Sequence, residues 1–143
     1  MLINILWASM TGNAEDVADN FEVIAKKRNH EVNLVELNDV TADKLQEMKL
    51  AVVVTSTTGD GDLPHNGDEF WDWLENSTSQ LKNLAYSVCA LGDSSHQTFC
   101  GAGNKINSKL DELGATRIKN IIECDCGTEG SEEWFKELLK EIE

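Results

Sequence analysis

The sequence predicts a three-layer α/β fold, in which helices cover both faces of a five-stranded parallel sheet. Short apolar runs rich in β-branched residues alternate with amphipathic stretches along the chain. Such alternation requires right-handed crossovers and therefore a parallel sheet. The 143 residues fit one domain, 1–143. A sheet of this size most often has the strand order 2-1-3-4-5.

The predicted strands are the apolar runs 2–7, 31–36, 50–55, 86–91 and 117–126. The run 50–55 contains three consecutive valines and is the most strand-like of them. The run 31–36 alternates polar and apolar residues, which is typical of a half-exposed strand.

Helices are predicted between the strands and after the last one. The first covers 14–29, with one apolar face formed by Val17, Ala18, Phe21, Ile24 and Ala25. Thr41 is expected to cap a short helix through 48, and Ser131 the final helix. A third helix begins near Asn66, with Glu69 as its capping-box acid, and fades by 79. The fourth covers 101–113 and ends at Gly114.

The charge balance excludes two classes of partner. The chain has 12 Lys and Arg against 26 Asp and Glu, a net charge of -14. A nucleic-acid-binding protein needs cations to neutralise phosphates, and an anionic membrane surface would repel this chain. No apolar stretch approaches the roughly 18 residues of a membrane span. We therefore expect a cytoplasmic protein that binds neither nucleic acid nor membrane.

The four cysteines do not indicate a disulfide or metal framework. Cys89, Cys100, Cys124 and Cys126 show no C-x-x-C spacing, and a reducing cytosol disfavours disulfides. We expect them to be small buried residues.

A ligand site is expected in the loops that follow the first, third and fourth strands, because ligands bind where the strand order reverses. All three loops are polar: Ser9 to Glu15, Ser56 to Pro64 and Gly92 to Cys100. The first leads directly into a helix and lacks Lys and Arg, which favours one phosphate held by neutral donors. In the second, Gly59 and Gly61 permit the close approach of a flat ligand.

Four other functions of similar folds lack their signatures. A receiver domain would need an acidic cluster after the first strand, where this chain has Ser9. A cysteine phosphatase would need an arginine close after Cys89 or Cys100, and there is none. The G-x-S-x-G elbow of serine hydrolases is absent, and Ile106 replaces the third glycine of the dinucleotide fingerprint.

The motifs in the three loops resemble those of the short-chain flavodoxins. Ser9-Met10-Thr11-Gly12-Asn13-Ala14-Glu15, Ser56-Thr57-Thr58-Gly59-Asp60-Gly61-Asp62-Leu63-Pro64, and Ala90-Leu91-Gly92-Asp93-Ser94-Ser95 with Phe99-Cys100 carry the resemblance. It covers the whole chain and points to the small bacterial MioC-like group and the FMN domains of diflavin reductases.

The resemblance implies an FMN cofactor and assigns residues to it. The phosphate would be held by Ser9, Met10, Thr11, Gly12, Asn13 and Ala14. One side of the isoalloxazine ring would face Ser56, Thr57, Thr58, Gly59, Asp60 and Gly61. The other side would face Leu91, Gly92, Asp93, His96, Phe99 and Cys100, and Asp125 falls where related domains place a flavin-contacting acid.

Two residues depart from the family pattern. Relatives usually stack a tyrosine on the outer face of the flavin, where this chain has His96. On the inner side, several relatives have an aromatic residue, where this chain has Thr58. Weaker stacking and looser FMN binding are expected. A flavodoxin-like interaction or regulatory module with weak or lost FMN binding is therefore the alternative interpretation.

The distribution of charge suggests how the protein works. Basic residues avoid the three loops, while acidic residues crowd the second loop and its helix. A negative surrounding disfavours the anion of a fully reduced flavin, which predicts a low potential and one-electron transfer. We expect a monomeric electron carrier, not an enzyme, that docks on basic-surfaced redox proteins, namely a flavodoxin reductase and an acceptor enzyme.

Overall fold

The computed structural model describes residues 1–95 and 98–143, whose strands form one parallel sheet. The strands are β1 (Leu2–Ala8), β2 (Glu31–Glu36), β3 (Leu50–Thr55), β4 (Ala85–Gly92), β5 (Thr116–Arg117) and β6 (Ile122–Asp125). Their order is β2-β1-β3-β4-β5, and β6 also pairs with β4. The predicted fold class and strand order are confirmed.

Helices cover both faces of this sheet. They are α1 (Asn13–Lys27), α2 (Ala42–Glu47), α3 (Asp68–Glu75), α4 (Gly101–Glu112) and α5 (Ser131–Ile142), with a 3-10 turn at Leu37–Asp39. Helices α1 and α5 pack on one face, and α2, α3 and α4 on the other. None of the helices in the described part of the chain combines the length and apolarity needed to cross a membrane.

The layer formed by α1 and α5 shows why the first helix forms where the sequence predicts it. All five residues of its predicted apolar face are buried. Phe21 of this face stacks on Phe135 of α5, with ring centroids 4.2 Å apart and planes within 6°. Such a stacked pair adds about 0.5–1.5 kcal/mol to the burial of the two side chains.

The last predicted strand, 117–126, is wrong as one element. Residues 116–117 pair with the start of β4 and 122–125 with its end, so the segment forms two short strands. Between them, the hydroxyl of Ser87 accepts a hydrogen bond from Lys119 N (2.9 Å) and donates one to Lys119 O (3.1 Å). A side chain therefore replaces the regular backbone ladder at this point.

Two of the predicted helix starts are also corrected. Helix α3 begins at Asp68 after Gly67, and Asn66 lies before it. Helix α5 has Gly130 as its N-cap, while the Ser131 hydroxyl donates to Thr128 O at 2.7 Å.

The other two helix signals are confirmed. The Thr41 hydroxyl accepts from Lys44 N, as an N-cap residue does. Gly114 follows α4 with φ 90°, the left-handed conformation that ends many helices.

The cysteine expectation holds for three residues of four. Cys89, Cys100 and Cys124 are buried, whereas Cys126 is exposed. Cys126 lies just past the end of β6 with φ 56°, so the regular alternation of side chains along the strand ends before it. All four are free thiols.

Candidate functional site

The first loop turns from β1 into α1 through Gly12, which has φ 96° and is the N-cap of the helix. No residue with a Cβ adopts this conformation without strain. The Ser9 hydroxyl lies inside the turn and accepts from Gly12 N at 2.9 Å and Ala14 N at 3.2 Å. A Cβ added at Gly12 would meet no atom within 4 Å, so the turn faces open space.

Backbone donors of this turn remain available. The N–H groups of Thr11 and Asn13 donate to no acceptor among residues 1–95 and 98–143. The N-terminus of α1 adds a partial positive charge at the same point. Met10 is 70% exposed and Thr11 and Asn13 are also exposed. The turn is therefore suited to an anion approaching from solvent.

The second loop closes on itself immediately after β3. Thr58 N donates to Asp62 O at 2.9 Å, and Asp62 N donates to Thr58 O at 2.8 Å. Between them, Gly59 and Gly61 have φ 49° and 92°, so both lie in the left-handed region that favours glycine. Glycine at position 59 permits rotation of the Thr58–Gly59 peptide. This rotation would break the hydrogen bond that Thr58 O accepts from Asp62 N.

The third loop is fixed by Asp125 at the end of β6. Its carboxylate accepts from Ser94 N at 2.8 Å and from the Ser94 hydroxyl at 2.6 Å. These two hydrogen bonds hold the pKa of Asp125 below its ordinary value, so the side chain is ionised at neutral pH. Asp93 accepts from Ser95 N at 2.9 Å. His96 lies outside the described residues.

Hydrogen bonds join the first loop to its neighbours. Ser9 N donates to Asn66 Oδ1 at 3.0 Å, and Met10 N donates to the Ser56 hydroxyl at 3.3 Å. The carboxyl ends of β1 and β3 thus hold the first and second loops side by side.

Helix α4 in turn contacts the second loop. Ala102 N donates to the Thr57 hydroxyl at 3.2 Å. A Cβ at Gly101 would lie only 2.7 Å from Gly61 Cα, so the two backbones touch.

The second and third loops enclose a small cleft of about 110 Å³. It is lined by Thr57, Gly59, Gly92, Asp93, Thr98, Phe99 and Cys100. Most of these residues were predicted to face the flavin ring, and the structure brings them together. The volume is below the roughly 300–1,000 Å³ of typical ligand pockets.

Cys100 is a structural member of this cleft. It is fully buried with φ 54° at the N-cap of α4, and its thiol donates to Ala90 O at 3.6 Å. Burial first, and then the carboxylate of Glu123, raises the pKa of Cys100 to about 12. The thiol therefore stays protonated at neutral pH and cannot act as a nucleophile.

Lys105 corrects the expectation that basic residues avoid the three loops. Its ammonium Nζ lies 3.6 Å from the Asp62 carboxylate and 5.8 Å from the ring centroid of Trp71. One cation therefore partly compensates the acidic second loop. Trp71 is only half-buried beside it, whereas Phe70 and Leu74 of the same helix are buried.

Two asparagines at the site make contacts that the sequence does not predict. The sequence predicts the start of a helix near Asn66, but the side chain of Asn66 accepts from Ser9 N. Asn38 performs the capping instead, since its Oδ1 accepts from Glu69 N at 3.0 Å and Phe70 N at 3.1 Å. All three bonds join residues far apart in sequence, and no local pattern could reveal them.

Comparison with known proteins gives one family. The model of the flavodoxin family matches residues 5–137. The chain is 37% identical over 142 residues to the sulfite reductase [NADPH] flavoprotein alpha-component of Vibrio parahaemolyticus, covering 98% of this chain and 23% of that protein. Its identity to the same component of Bacillus subtilis is 33% over 140 residues, covering 96% and 23%. The chain thus spans about a quarter of these relatives.

Solved structures agree over the full chain. A flavodoxin of Streptococcus pneumoniae TIGR4 superposes with a TM-score of 0.86 at 29% identity, covering 99% of this chain and 97% of that one. Oxidised flavodoxin 2 of Bacillus cereus gives 0.84 at 29% identity, with 99% and 98% covered.

Proposed function

The chain belongs to the flavodoxin family, and we propose that it is a low-potential carrier of single electrons that binds FMN and connects a reductase to an acceptor enzyme. Flavodoxins are electron carriers whose cofactor is FMN. When bound, FMN supplies the redox chemistry, because its ring accepts and releases electrons one at a time. The protein contributes binding, orientation and the surrounding charge.

The observation that carries the proposal is the open turn at the N-terminus of α1. The N–H groups of Thr11 and Asn13 have no acceptor among the described residues and face solvent beside the partial positive charge of the helix. The Ser9 hydroxyl already accepts from Gly12 N and Ala14 N, so it orders the turn before any ligand arrives. A single phosphate at this turn would satisfy both free donors.

The ring would lie in the cleft between the second and third loops. Thr58 and Gly59 would contact one side and the segment from Gly92 to Cys100 the other. Because the cleft measures about 110 Å³, less than a typical ligand pocket, we expect binding to move these loops apart. Asp125 accepts hydrogen bonds from Ser94. Its main role would therefore be to set the position of the third loop, and not to contact the ring.

Comparing FMN with riboflavin tests the phosphate site, because the two ligands share the ring and differ by the phosphate. Two N–H bonds to a charged group, at about 1.5–3 kcal/mol each, predict roughly 10²–10⁴-fold tighter binding of FMN. Quenching of flavin fluorescence measures both dissociation constants. Equal constants would contradict the phosphate site. Failure to bind either ligand would favour the alternative, an interaction module that has lost FMN.

A potentiometric titration of the FMN complex tests electron transfer. The second loop and α3 carry five exposed acidic residues: Asp60, Asp68, Glu69, Asp72 and Glu75. They disfavour added negative charge, and Lys105 offsets this only in part, because it is itself paired with Asp62. We expect two separated one-electron steps, of which the second has the lower potential. A single two-electron step would contradict the carrier role.

The same acidic surface suggests basic partners. Such complexes form faster at low salt, because the Debye length is about 10 Å at 0.1 M and lengthens as salt is removed. The rate at which a basic-surfaced flavodoxin reductase reduces the FMN complex should fall as sodium chloride is raised from 20 to 300 mM. A rate independent of salt would remove the argument for basic partners.

A further inference from the structure

A second cavity lies at the opposite end of the sheet, and the proposed function does not use it. It is an open groove of about 850 Å³ at the amino-terminal ends of β1, β3 and β4, here called the basal groove. Its volume lies within the range of small-molecule sites, whereas the cleft between the loops is much smaller. The basal groove therefore has a larger volume than the cleft between the second and third loops.

The walls of the basal groove are mostly apolar and come from both layers of the fold. Val35, Val40 and Met48 belong to the layer of α2, and Leu50 and Ala85 to the layer of α1 and α5. At its open side, Met1 and Leu2 are 64% and 47% exposed. The groove thus runs across the amino-terminal end of the sheet, and most of its lining residues are apolar.

The floor has one polar point. Asn4 is buried, donates to Leu50 O at 2.9 Å and accepts from Asn33 Nδ2 at 3.1 Å. Because both bonds lie within the protein, the floor requires no charged ligand, and any charge recognition must come from the rim.

The rim of the groove is basic. Lys44 and Lys49 line it and are exposed, and neither forms an ion pair with a carboxylate of the described residues. The Lys44 ammonium donates only to the backbone oxygen of Asp39, at 3.2 Å. Glu47 is the single acidic residue among those that line the groove. This local excess of positive charge stands out in a chain of net charge -14.

We propose that the basal groove binds an amphiphilic monocarboxylate, with its alkyl tail along the apolar walls and its carboxylate at Lys44 and Lys49. An apolar site with a few charged groups at one end is the usual design for such a ligand. The alkyl stems of the two lysines extend the apolar wall while their ammonium groups stay in water. The proposal is independent of FMN binding, since it involves the other end of the sheet.

Two amphiphiles with the same tail and opposite charge test the proposal. Decanoate and decylammonium are titrated into the full chain by calorimetry, each below its micelle-forming concentration. We expect decanoate to bind one to one and at least fivefold more tightly than decylammonium, because only its head group is complementary to the lysines. No binding of decanoate, or equal binding of the two, would overturn the proposal.

Variants then locate the bound ligand. Lys44→Gln combined with Lys49→Gln should weaken decanoate binding at least fivefold. The control Lys136→Gln removes a lysine of α5 that pairs with Glu132 outside the groove, and it should change nothing. Leu2→Asn removes an exposed apolar wall and should weaken both amphiphiles equally. Equal effects of the groove and control variants would refute the site.

Two further measurements separate the groove from other occupants. Saturating FMN should leave decanoate binding unchanged, whereas competition would place decanoate in the cleft and overturn the proposal. Sedimentation velocity of the ligand-free chain should show a monomer. A dimer that Leu2→Asn dissociates would mean that a second copy covers the groove, which also overturns the proposal.

Discussion

Replacing Gly101 by alanine tests the contact between α4 and the second loop. The new Cβ would lie 2.7 Å from Gly61 Cα and 3.3 Å from Gly61 O, and both are backbone atoms that cannot rotate away. The φ of Gly101 is not positive, so alanine fits the local conformation. The loop must therefore shift relative to the helix, and this affects the side of the cleft where Thr58 and Gly59 lie.

A matched control variant isolates the loss of stability that the Gly101→Ala collision causes. Gly127→Ala places a Cβ within 4 Å of no atom, and this glycine also lacks a positive φ. Both substitutions reduce the entropy of the unfolded chain, which by itself stabilises each variant by about 0.4–1 kcal/mol. The difference in stability between the two variants therefore measures the cost of the collision. Overpacking of this kind costs about 1–3 kcal/mol. We expect Gly101→Ala to be less stable than Gly127→Ala by that amount.

Two assays report the result. Urea denaturation measures the free energy of unfolding of both variants, and quenching of flavin fluorescence measures their dissociation constants for FMN. Displacement of the second loop by this substitution should weaken FMN binding roughly tenfold, equivalent to about 1.4 kcal/mol. If the two variants agree within about 0.5 kcal/mol and bind FMN equally, α4 does not position the loop, and the reasoning fails.

Three other substitutions test separate features. Asn38→Ala should cost about 1–2 kcal/mol in urea denaturation, because Glu69 N and Phe70 N lose their acceptor, whereas Asn76→Ala should cost much less. Hydrogen bonds from His30 and then from Arg28 lower the pKa of Glu143. The contribution of this carboxylate to the free energy of unfolding is therefore present above its unfolded-state pKa and is lost as the pH falls. Urea denaturation should show that Glu143→Gln destabilises the protein at pH 7 and not at pH 3. Thr58→Tyr should tighten FMN binding about two- to tenfold in the quenching assay through ring stacking; unchanged binding would place Thr58 away from the ring.

The strand pattern could be read from the sequence because burial dictates it locally. A fully buried strand such as β3 needs apolar residues on both faces, and the run from Leu50 to Val54 supplies them. The split between β5 and β6 could not be read in this way. It depends on Ser87, which lies on another strand and bonds Lys119 through its side chain.

The candidate site was predictable to the same extent. Polar residues after three strands had to meet at one edge, because the carboxyl ends of parallel strands lie together. The free N–H groups of Thr11 and Asn13 follow from the helix that starts there. Lys105 was missed because its position beside Asp62 depends on how α4 packs, and the helix alone does not show which loop it faces.

The order and type of the elements, the end of the sheet where the loops meet and the net charge of -14 follow from local patterns and counted charges, so the amino-acid sequence is enough to predict them. How the elements contact one another depends on the folded chain: the capping of α3 by Asn38, the approach of Gly101 to Gly61, and the basal groove. Each depends on distances between segments far apart in the chain, and packing fixes these distances only after the chain has folded.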